Sequence, residues 1–345
     1  MVIPETMKAA VLHEHRSRLS VEQVPTPSPG DDDVLVKVIA CGVCHSDLHA
    51  VDGDWTPGSV IPLIPGHEVT GTVVAAGADV DPTIVGSLVG VPWMYSSCGV
   101  CEWCLAGMET ICPRGEATGY SVAGGYAEFM VAPAAFVVAL PADVDPVALA
   151  PVLCAGVTTY RGLKRTAARP GQWVAIVGIG GLGHLAVQYA RAMGLRVAAV
   201  DVAADKLELA RSLGAELIID ASATDPVAEV RARTGGVHAA VVAAVASRAF
   251  EQALGMLRPA GTAVYLGIPG GAADEIKVSI SSIVNAELSM RGSNVGTRLD
   301  VREAVDLAVR GKVSAVVRAV PLDQVNDVLD DMRAGVIVGR VVLTT

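Results

Sequence analysis

The stretch VAIVGIGGLGH, residues 174–184, decides how this chain folds. It contains Gly178-Ile179-Gly180-Gly181-Leu182-Gly183, which fits the pattern G-x-G-x-x-G between a short apolar strand and a helical pattern. Gly178 allows a tight turn, Gly180 lets the backbone approach phosphate groups, and Gly183 lets the helix pack against the strand. The helix N-terminus then presents free N–H groups to a bound pyrophosphate.

An acidic residue supports this interpretation of the glycines. Asp201 ends the next predicted strand, at the distance from Gly183 that is typical of a dinucleotide site. Its carboxylate can accept hydrogen bonds from both hydroxyls of an adenosine ribose, and it would repel a 2′-phosphate. The pattern therefore favours NAD over NADP. A glycine-rich turn without a ligand is the alternative, and a P-loop is excluded because no Gly-Lys-Ser/Thr follows.

Outward from this stretch, strands and helices alternate along the chain from about residue 154. The predicted strands are 172–177, 196–201, 216–220, 237–244, 261–267 and 287–292, and the predicted helices are 184–193, 205–213, 226–233 and 248–257. Such alternation predicts a doubly wound parallel sheet with crossover helices. The first ~150 residues instead predict short strands, at 8–13, 33–40, 69–76, 88–93, 126–132 and 136–140. The tail predicts helices 301–310 and 324–332 and a closing strand 336–343.

Length and charge limit the classes of function. With 345 residues, the chain is long enough for about two domains. A net charge of -10 argues against nucleic acid and acidic membrane surfaces, because phosphate binding needs clustered Lys and Arg. No apolar run is as long as a membrane span, and the first residues lack a signal-peptide core. We therefore expect a cytoplasmic protein.

Four of the 7 cysteines lie close together, with the spacing C-x2-C-x2-C-x7-C. They are Cys98, Cys101, Cys104 and Cys112. Four thiolates complete a tetrahedral zinc and leave no position for substrate, so the spacing predicts a structural zinc. An iron–sulfur cluster is the main alternative.

Three further candidates for metal ligands are dispersed: Cys44, His67 and Cys154. Each is a weak signal alone, because a single Cys is usually a small buried hydrophobe. Cys41 and Cys44 also form a C-x-x-C pair, but no thioredoxin-like pattern surrounds them. The residues by themselves leave the chemistry at these positions open.

Several motifs occur in the order and spacing of the zinc-containing medium-chain alcohol dehydrogenases. They are Cys44-His45-Ser46-Asp47-Leu48-His49, Gly53-Asp54-Trp55, Gly66-His67-Glu68, the four-cysteine group, Leu153-Cys154-Ala155-Gly156-Val157-Thr158 and the stretch 178–184. The resemblance covers essentially the whole chain and is strongest to the yeast-type and bacterial branch. It implies a mostly β GroES-like catalytic domain, residues 1–155 and 296–345, and a Rossmann domain, residues 156–295.

The resemblance also implies a catalytic zinc. Cys44, His67 and Cys154 would be its ligands, an arrangement that keeps one exchangeable position. Glu68 would approach the metal during ligand exchange, and Asp47 would orient His67. Zinc would make the alcohol O–H more acidic, and hydride would pass to the nicotinamide ring. Ser46 would be a hydroxyl relay, with His49 as the terminal general base reached through the cofactor ribose.

Contacts to the cofactor and the substrate are implied in the same way. By the resemblance, the cofactor is contacted by His45, Thr158, Gly178, Gly180, Gly181, Leu182, Gly183, Asp201, Lys206, Leu266, Ile268, Ser293, Val295 and Arg340. His45 and Arg340 would contact the pyrophosphate. Trp55 and Trp93 would narrow the substrate pocket, with packing as the competing explanation.

The resulting expectation is an NAD-dependent alcohol dehydrogenase with two zinc ions per chain, acting on a small primary alcohol or its aldehyde. Relatives of this branch are commonly tetramers, so we expect a homotetramer, with a homodimer as the alternative. A polyol or secondary-alcohol dehydrogenase is a second candidate, against which Cys154 argues because that group uses a carboxylate as third ligand. A non-catalytic zinc- and NAD-binding module is the third.

Overall fold

The structure is a computed structural model, and it describes residues 2–55, 57–269 and 275–345. The chain divides into two compact units. The first unit comprises Met1–Cys154, Gly296–Val309 and Ala315–Thr345, and the second comprises Ala155–Val295 and Arg310–Ser314. The division expected from sequence placed all of residues 296–345 in the first unit.

Within the described residues, six strands of the second unit form one parallel sheet. In spatial order they are Leu217–Asp220, Arg196–Asp201, Trp173–Val177, Val237–Val242, Leu257–Tyr265 and Ser289–Gly292. The central strands are rich in Val and Ala and are buried along nearly their whole length, as expected for a sheet covered on both faces. The order reverses on either side of strand Trp173–Val177, so the predicted doubly wound sheet is confirmed.

The helices of the second unit connect these strands. They are Ala155–Thr166, Gly183–Ala192, Ala204–Ser212, Pro226–Thr234, Ser247–Met256 and Ile280–Ala286. Four of them match predicted helices to within one residue at each end. The first and the last of the six were not predicted. Ile280–Ala286 is short and contains no buried residue, so it has no apolar stripe that a sequence pattern could reveal.

The first unit is built on a mostly antiparallel sheet. In spatial order its strands are Val317–Pro321, Arg340–Thr344, Asp33–Val43, Glu68–Ala76, Leu88–Val91 and Val138–Ala139, with Phe129–Pro133 also paired to Asp33–Val43. Strand Arg340–Thr344 lies between a parallel and an antiparallel neighbour. The C-terminal segment therefore completes the sheet that the N-terminal segment begins.

Shorter elements complete the first unit. Two-stranded ribbons pair Thr6–Val11 with Ser20–Pro25 and Met94–Ser96 with Glu116–Ala117. The α-helices are His45–Asp52, Glu102–Leu105, Pro146–Leu149, Arg298–Val309 and Val325–Arg333, and the 3-10 turns are Pro82–Ile84, Glu109–Ile111, Ala150–Leu153 and Leu322–Gln324. In the part of the chain that the structure describes, none of the helices is long and apolar enough to cross a membrane.

Two predicted strands begin at least three residues later than expected. The strand predicted at 126–132 begins at Phe129, because the backbone of Tyr126 pairs with Ala10 and Pro65 instead. The strand predicted at 336–343 begins at Arg340, because Gly339 has a φ of 74°, which strand geometry does not allow.

Candidate metal and nucleotide sites

Four side chains from three parts of the first unit converge on one point. The ligand atoms of Cys44, His67, Glu68 and Cys154 all lie within 4.8 Å of one another, and all four residues are buried. Cys44 follows strand Asp33–Val43, and His67 precedes the antiparallel neighbour of that strand. The sheet register thus brings together residues that are far apart in sequence.

His67 has the hydrogen bonding of a metal ligand. Its Nδ1 lies 2.8 Å from Asp47 Oδ1, and both side chains are fully buried. Its Nε2 is buried without a hydrogen-bond partner among the residues that the structure describes. An unsatisfied buried nitrogen is costly, and a metal ion beside the two sulfurs would satisfy it. Burial opposes protonation, but the nearby Asp47 charge raises the pKa of His67 well above its usual value.

Asp47 is the centre of a buried hydrogen-bond network. Besides His67, its carboxylate accepts the backbone N–H of Cys44 at 2.9 Å and that of Gly66 at 3.1 Å. The Tyr126 hydroxyl donates to Asp47 Oδ2 at 2.8 Å. Sequence reasoning missed Tyr126, since nothing local connects it with Asp47. The network fixes the positions of two candidate ligands through one carboxylate.

Glu68 forms a buried ion pair with Arg340. One terminal nitrogen of Arg340 lies 2.6 Å from both carboxylate oxygens. Burial raises the pKa of Glu68 to about 7, although the charge of Arg340 acts in the opposite direction. A Cβ at Gly42 would overlap the Glu68 carboxylate, so this glycine makes room for it. Arg340, predicted to bind pyrophosphate, is thus engaged with Glu68, while its Nε is buried without a partner among the described residues.

The two candidate thiolate ligands interact with each other. Their mutual hydrogen bond lowers the pKa of Cys44 well below its usual value and raises the pKa of Cys154 well above it. A divalent cation would stabilise both thiolates at once, because metal binding displaces thiol protons.

The second cysteine group forms a lobe at residues 98–112. The measured Sγ–Sγ distances are 3.5 Å for Cys101–Cys104, 3.9 Å for Cys101–Cys112 and 4.0 Å for Cys98–Cys104. A tetrahedron with its centre about 2.3 Å from each sulfur has edges of about 3.8 Å, so the four sulfurs fit one zinc ion. A cluster of several iron atoms would hold the sulfurs further apart. The Val100 backbone N–H lowers the pKa of Cys98 to about 6.

Three aromatic side chains cluster beside His67. The Trp93 ring meets that of His67 edge to face at 4.7 Å. Trp55 lies 6.3 Å from Trp93, and Tyr120 lies within 6 Å of both tryptophans. The structure therefore brings the two predicted pocket residues together and adds Tyr120, whose hydroxyl donates to the Pro57 carbonyl.

The predicted relay residues lie on helix His45–Asp52, directly after Cys44. The Ser46 hydroxyl is 3.8 Å from Cys44 Sγ. His49 is buried on the same helix, and its ring packs on Trp55 at 4.8 Å. His45, predicted to contact phosphate, is exposed at the helix start.

The glycine loop of the second unit has the predicted conformation. Gly178 has a φ of 90°, and a Cβ at Gly183 would overlap the Gly178 carbonyl oxygen. At Gly180, by contrast, a Cβ would meet nothing within 4 Å among the described residues. The Asp201 carboxylate accepts the backbone N–H groups of Ile179, Val202 and Ala203, so it also holds the loop in place.

The remaining predicted cofactor contacts lie in the second unit with varied exposure. Thr158, Leu266 and Ser293 are buried, and the Ser293 hydroxyl lacks a hydrogen-bond partner among the described residues. Lys206 is half-buried and Ile268 is exposed. Val295 has a φ of 40°, a strained conformation for a β-branched residue. Gly181 and Leu182 lead into helix Gly183–Ala192.

Two family models match the chain. The model described as alcohol dehydrogenase GroES-like domain matches residues 30–142, and that described as zinc-binding dehydrogenase matches residues 181–310. An alcohol dehydrogenase of Geobacillus stearothermophilus is 50% identical over 337 residues, which are 98% of each chain. One of Moraxella sp. (strain TAE123) is 51% identical over 337 residues, 98% of this chain and 99% of that one.

Solved structures agree with this similarity. The crystal structure of an alcohol dehydrogenase from the archaeon Aeropyrum pernix has a TM-score of 0.90 and 36% identity, covering 98% of this chain and 100% of that one. Acetophenone reductase from Geotrichum candidum, solved in complex with NAD, has a TM-score of 0.89 and 31% identity, covering 100% of this chain and 99% of that one.

Proposed function

This chain belongs to the zinc-dependent medium-chain alcohol dehydrogenases, a family of oxidoreductases, and we propose that it interconverts small alcohols and aldehydes with NAD. The observation that carries the proposal is the buried group of Cys44, His67, Glu68 and Cys154. In this group the buried His67 Nε2 has no hydrogen-bond partner among the described residues.

The donor set fits a catalytic zinc. Cys44, His67 and Cys154 supply two thiolates and one imidazole, which leaves a position for an exchangeable ligand. When bound, zinc supplies Lewis acidity, which increases the acidity of an alcohol O–H. Asp47 orients His67, and Glu68 stays beside the ligands through its ion pair with Arg340.

A second zinc in the four-cysteine lobe gives two per chain. Its support is three Sγ–Sγ distances of 3.5–4.0 Å, with all four sulfurs within 4.8 Å of one another, which suits one tetrahedral ion. All four positions would be occupied by sulfur, so this zinc would be structural and take no part in the reaction.

NAD is the proposed hydride acceptor. The open backbone at Gly180 leaves room for the pyrophosphate, and the Asp201 carboxylate disfavours a 2′-phosphate. The Geotrichum relative contains NAD in its complex. We assign further contacts on resemblance to His45 and Arg340 at the phosphates and to Lys206 at the ribose. The others are Thr158, Gly178, Gly181, Leu182, Gly183, Leu266, Ile268, Ser293 and Val295.

The chain's own residues would move the substrate proton and limit substrate size. Ser46 passes the proton of the alcohol towards His49, which accepts it as the terminal base. Trp55 and Trp93 stand around the ligand set and favour small substrates, primary alcohols above bulky ones. We also assign a homotetrameric state, to be measured by light scattering.

The test is purified protein assayed with NAD and a panel of primary, secondary and polyhydric alcohols, with metal content measured alongside. We expect NADH formation with short primary alcohols and about two zinc ions per chain. Activity in a metal-free protein would overturn the proposal. A preference for polyols would show instead that the protein is a polyol dehydrogenase of the same superfamily. Tight NAD binding without turnover would indicate a non-catalytic module.

A charge-removing variant tests the choice of NAD. Asp201→Asn should raise the KM for NAD roughly tenfold and lessen the discrimination against NADP, because one charged acceptor and its repulsion of a 2′-phosphate are lost. Asp220→Asn is the matched control, since Asp220 stands opposite Asp201 at the end of the neighbouring strand. Equal effects of both variants would contradict the assignment.

A further inference from the structure

His49 has a carboxylate partner that the sequence pattern did not reveal. Helix His45–Asp52 is capped by Gly53, which has a φ of 67° and donates its backbone N–H to the His49 carbonyl. The backbone N–H of Asp54 also donates to that carbonyl, at 3.2 Å. This tight turn folds the chain back, so that Asp54 Oδ2 lies 2.9 Å from His49 Nδ1.

This contact selects one tautomer of His49. An ionised carboxylate can only accept hydrogen bonds, so Nδ1 must carry the proton and the neutral ring has its lone pair on Nε2. The His49 side chain is 10% exposed and that of Asp54 is 30% exposed. The Trp55 ring packs on the imidazole at 4.8 Å with an angle of 31° between the planes. Carboxylate and indole together hold the ring in a single orientation.

Several charged or titratable side chains lie near the His49–Asp54 pair. His45, on the same helix, has its ring 6.3 Å from that of His49. Asp54 lines a surface depression of about 370 Å³ together with Asp52, Arg16, Arg18 and Arg333. The Asp52 carboxylate lies 2.7 Å from Arg333. Of the two carboxylates in the depression, Asp54 is therefore the one on His49.

We propose that Asp54 is a positioning residue for the proton relay. It fixes the tautomer and orientation of His49, and it stabilises the imidazolium that forms when Nε2 accepts the proton released by the alcohol. The Nδ1 proton stays on the ring, and the proton taken by Nε2 then passes to water. The proposal rests on the proposed function, in which His49 is the terminal base.

Four variants of the zinc-loaded enzyme test it in alcohol oxidation with NAD: Asp54→Asn, Asp52→Asn, His49→Gln and the double variant Asp54→Asn/His49→Gln. We expect Asp54→Asn to lower kcat about tenfold, with the KM for alcohol changed by less than about threefold. Asp52→Asn removes the same charge from the same depression without touching His49, so its kcat should stay near that of wild type. The double variant should be no slower than His49→Gln alone, because both changes disable the same step, proton acceptance by His49.

The outcomes separate this inference from the proposed function. If His49→Gln slows the enzyme but Asp54→Asn does not, the role of Asp54 is wrong while the function stands. If the losses multiply in the double variant, or if Asp52→Asn is as slow as Asp54→Asn, Asp54 acts other than through His49 and the inference is overturned. If wild type forms no NADH with any alcohol, the proposed function itself fails.

Discussion

The buried ligand set and the four-cysteine lobe differ in where their ligands come from and in what surrounds them. Cys44, His67 and Cys154 are separated by long stretches of chain and meet in the interior. The Asp47 carboxylate, with four hydrogen-bond donors, holds the first two of them. The lobe ligands lie within residues 98–112 and are half-exposed, and their neighbours Val100 and Leu105 are 68% and 76% exposed.

This difference teaches what holds each site together. The buried set is assembled by the sheet register and by the Asp47 network, so the fold alone brings its ligands close. The lobe has almost no apolar core of its own, so we expect its shape to depend on the zinc ion proposed for its four sulfurs. We therefore expect loss of metal to remove activity at the first site and stability at the second.

The largest effect should come from Cys154→Ser. We expect kcat/KM to fall about a thousandfold, because the metal loses a thiolate ligand, while the midpoint of thermal unfolding moves by only a few degrees. Metal analysis should give about one zinc ion per chain. Cys41→Ala is the control, since Cys41 is a buried thiol outside both ligand sets among the described residues. A variant that keeps full activity would show that Cys154 is not a ligand.

Cys112→Ser should give the opposite pattern. We expect loss of one zinc ion and a fall of about 10 °C in Tm, because the lobe loses the ion that replaces its core. Turnover of the protein that stays folded at low temperature should change by less than about tenfold. Calorimetry and initial rates on the same sample measure both quantities. An unchanged Tm would show that the lobe is held by other contacts, such as the ion pair of Glu109 and Arg298.

Tyr126→Phe should have the smallest effect of the three and tests the preassembly of the buried set. Asp47 would lose one of its four donors, so we expect zinc affinity and kcat/KM to fall about tenfold. The free energy of unfolding should fall by about 1 kcal/mol. Tyr265→Phe is a matched control in the second unit, where the hydroxyl donates only weakly to Phe250. If Tyr265→Phe lowers zinc affinity and kcat/KM as much as Tyr126→Phe does, the Tyr126 hydroxyl contributes only to stability.

The same contrast explains what the sequence could predict. Cys98–Cys112 and Gly178–Gly183 are contiguous motifs, and their chemistry follows from spacing and short-range geometry. The parallel sheet was predictable because its strands are continuous apolar runs between amphipathic helices. The predicted roles of Ser46, His49 and the cofactor contacts stay predictions, because they depend on molecules that have to be bound.

The features that could not be predicted from the sequence depend on contacts that only the folded chain creates. Tyr126 reaches Asp47 across 79 positions, and Arg340 reaches Glu68 across 272, so no local pattern marks either pair. Asp54 lies only five residues after His49, but its contact depends on the turn at Gly53. Helix His45–Asp52 was missed because it is short and because its buried face includes Asp47 and His49, so it has no simple apolar stripe.

The place of strand Arg340–Thr344 has a consequence for biosynthesis. It pairs on one side with Val317–Pro321 and on the other with Asp33–Val43, and it carries the partner of Glu68. A nascent chain therefore holds an interrupted sheet, and Glu68 lacks its Arg340 partner, until residues 340–344 have emerged from the ribosome. Since the second unit is complete by Ser314, we expect it to fold first, with the first unit completing its sheet only after strand Arg340–Thr344 has emerged.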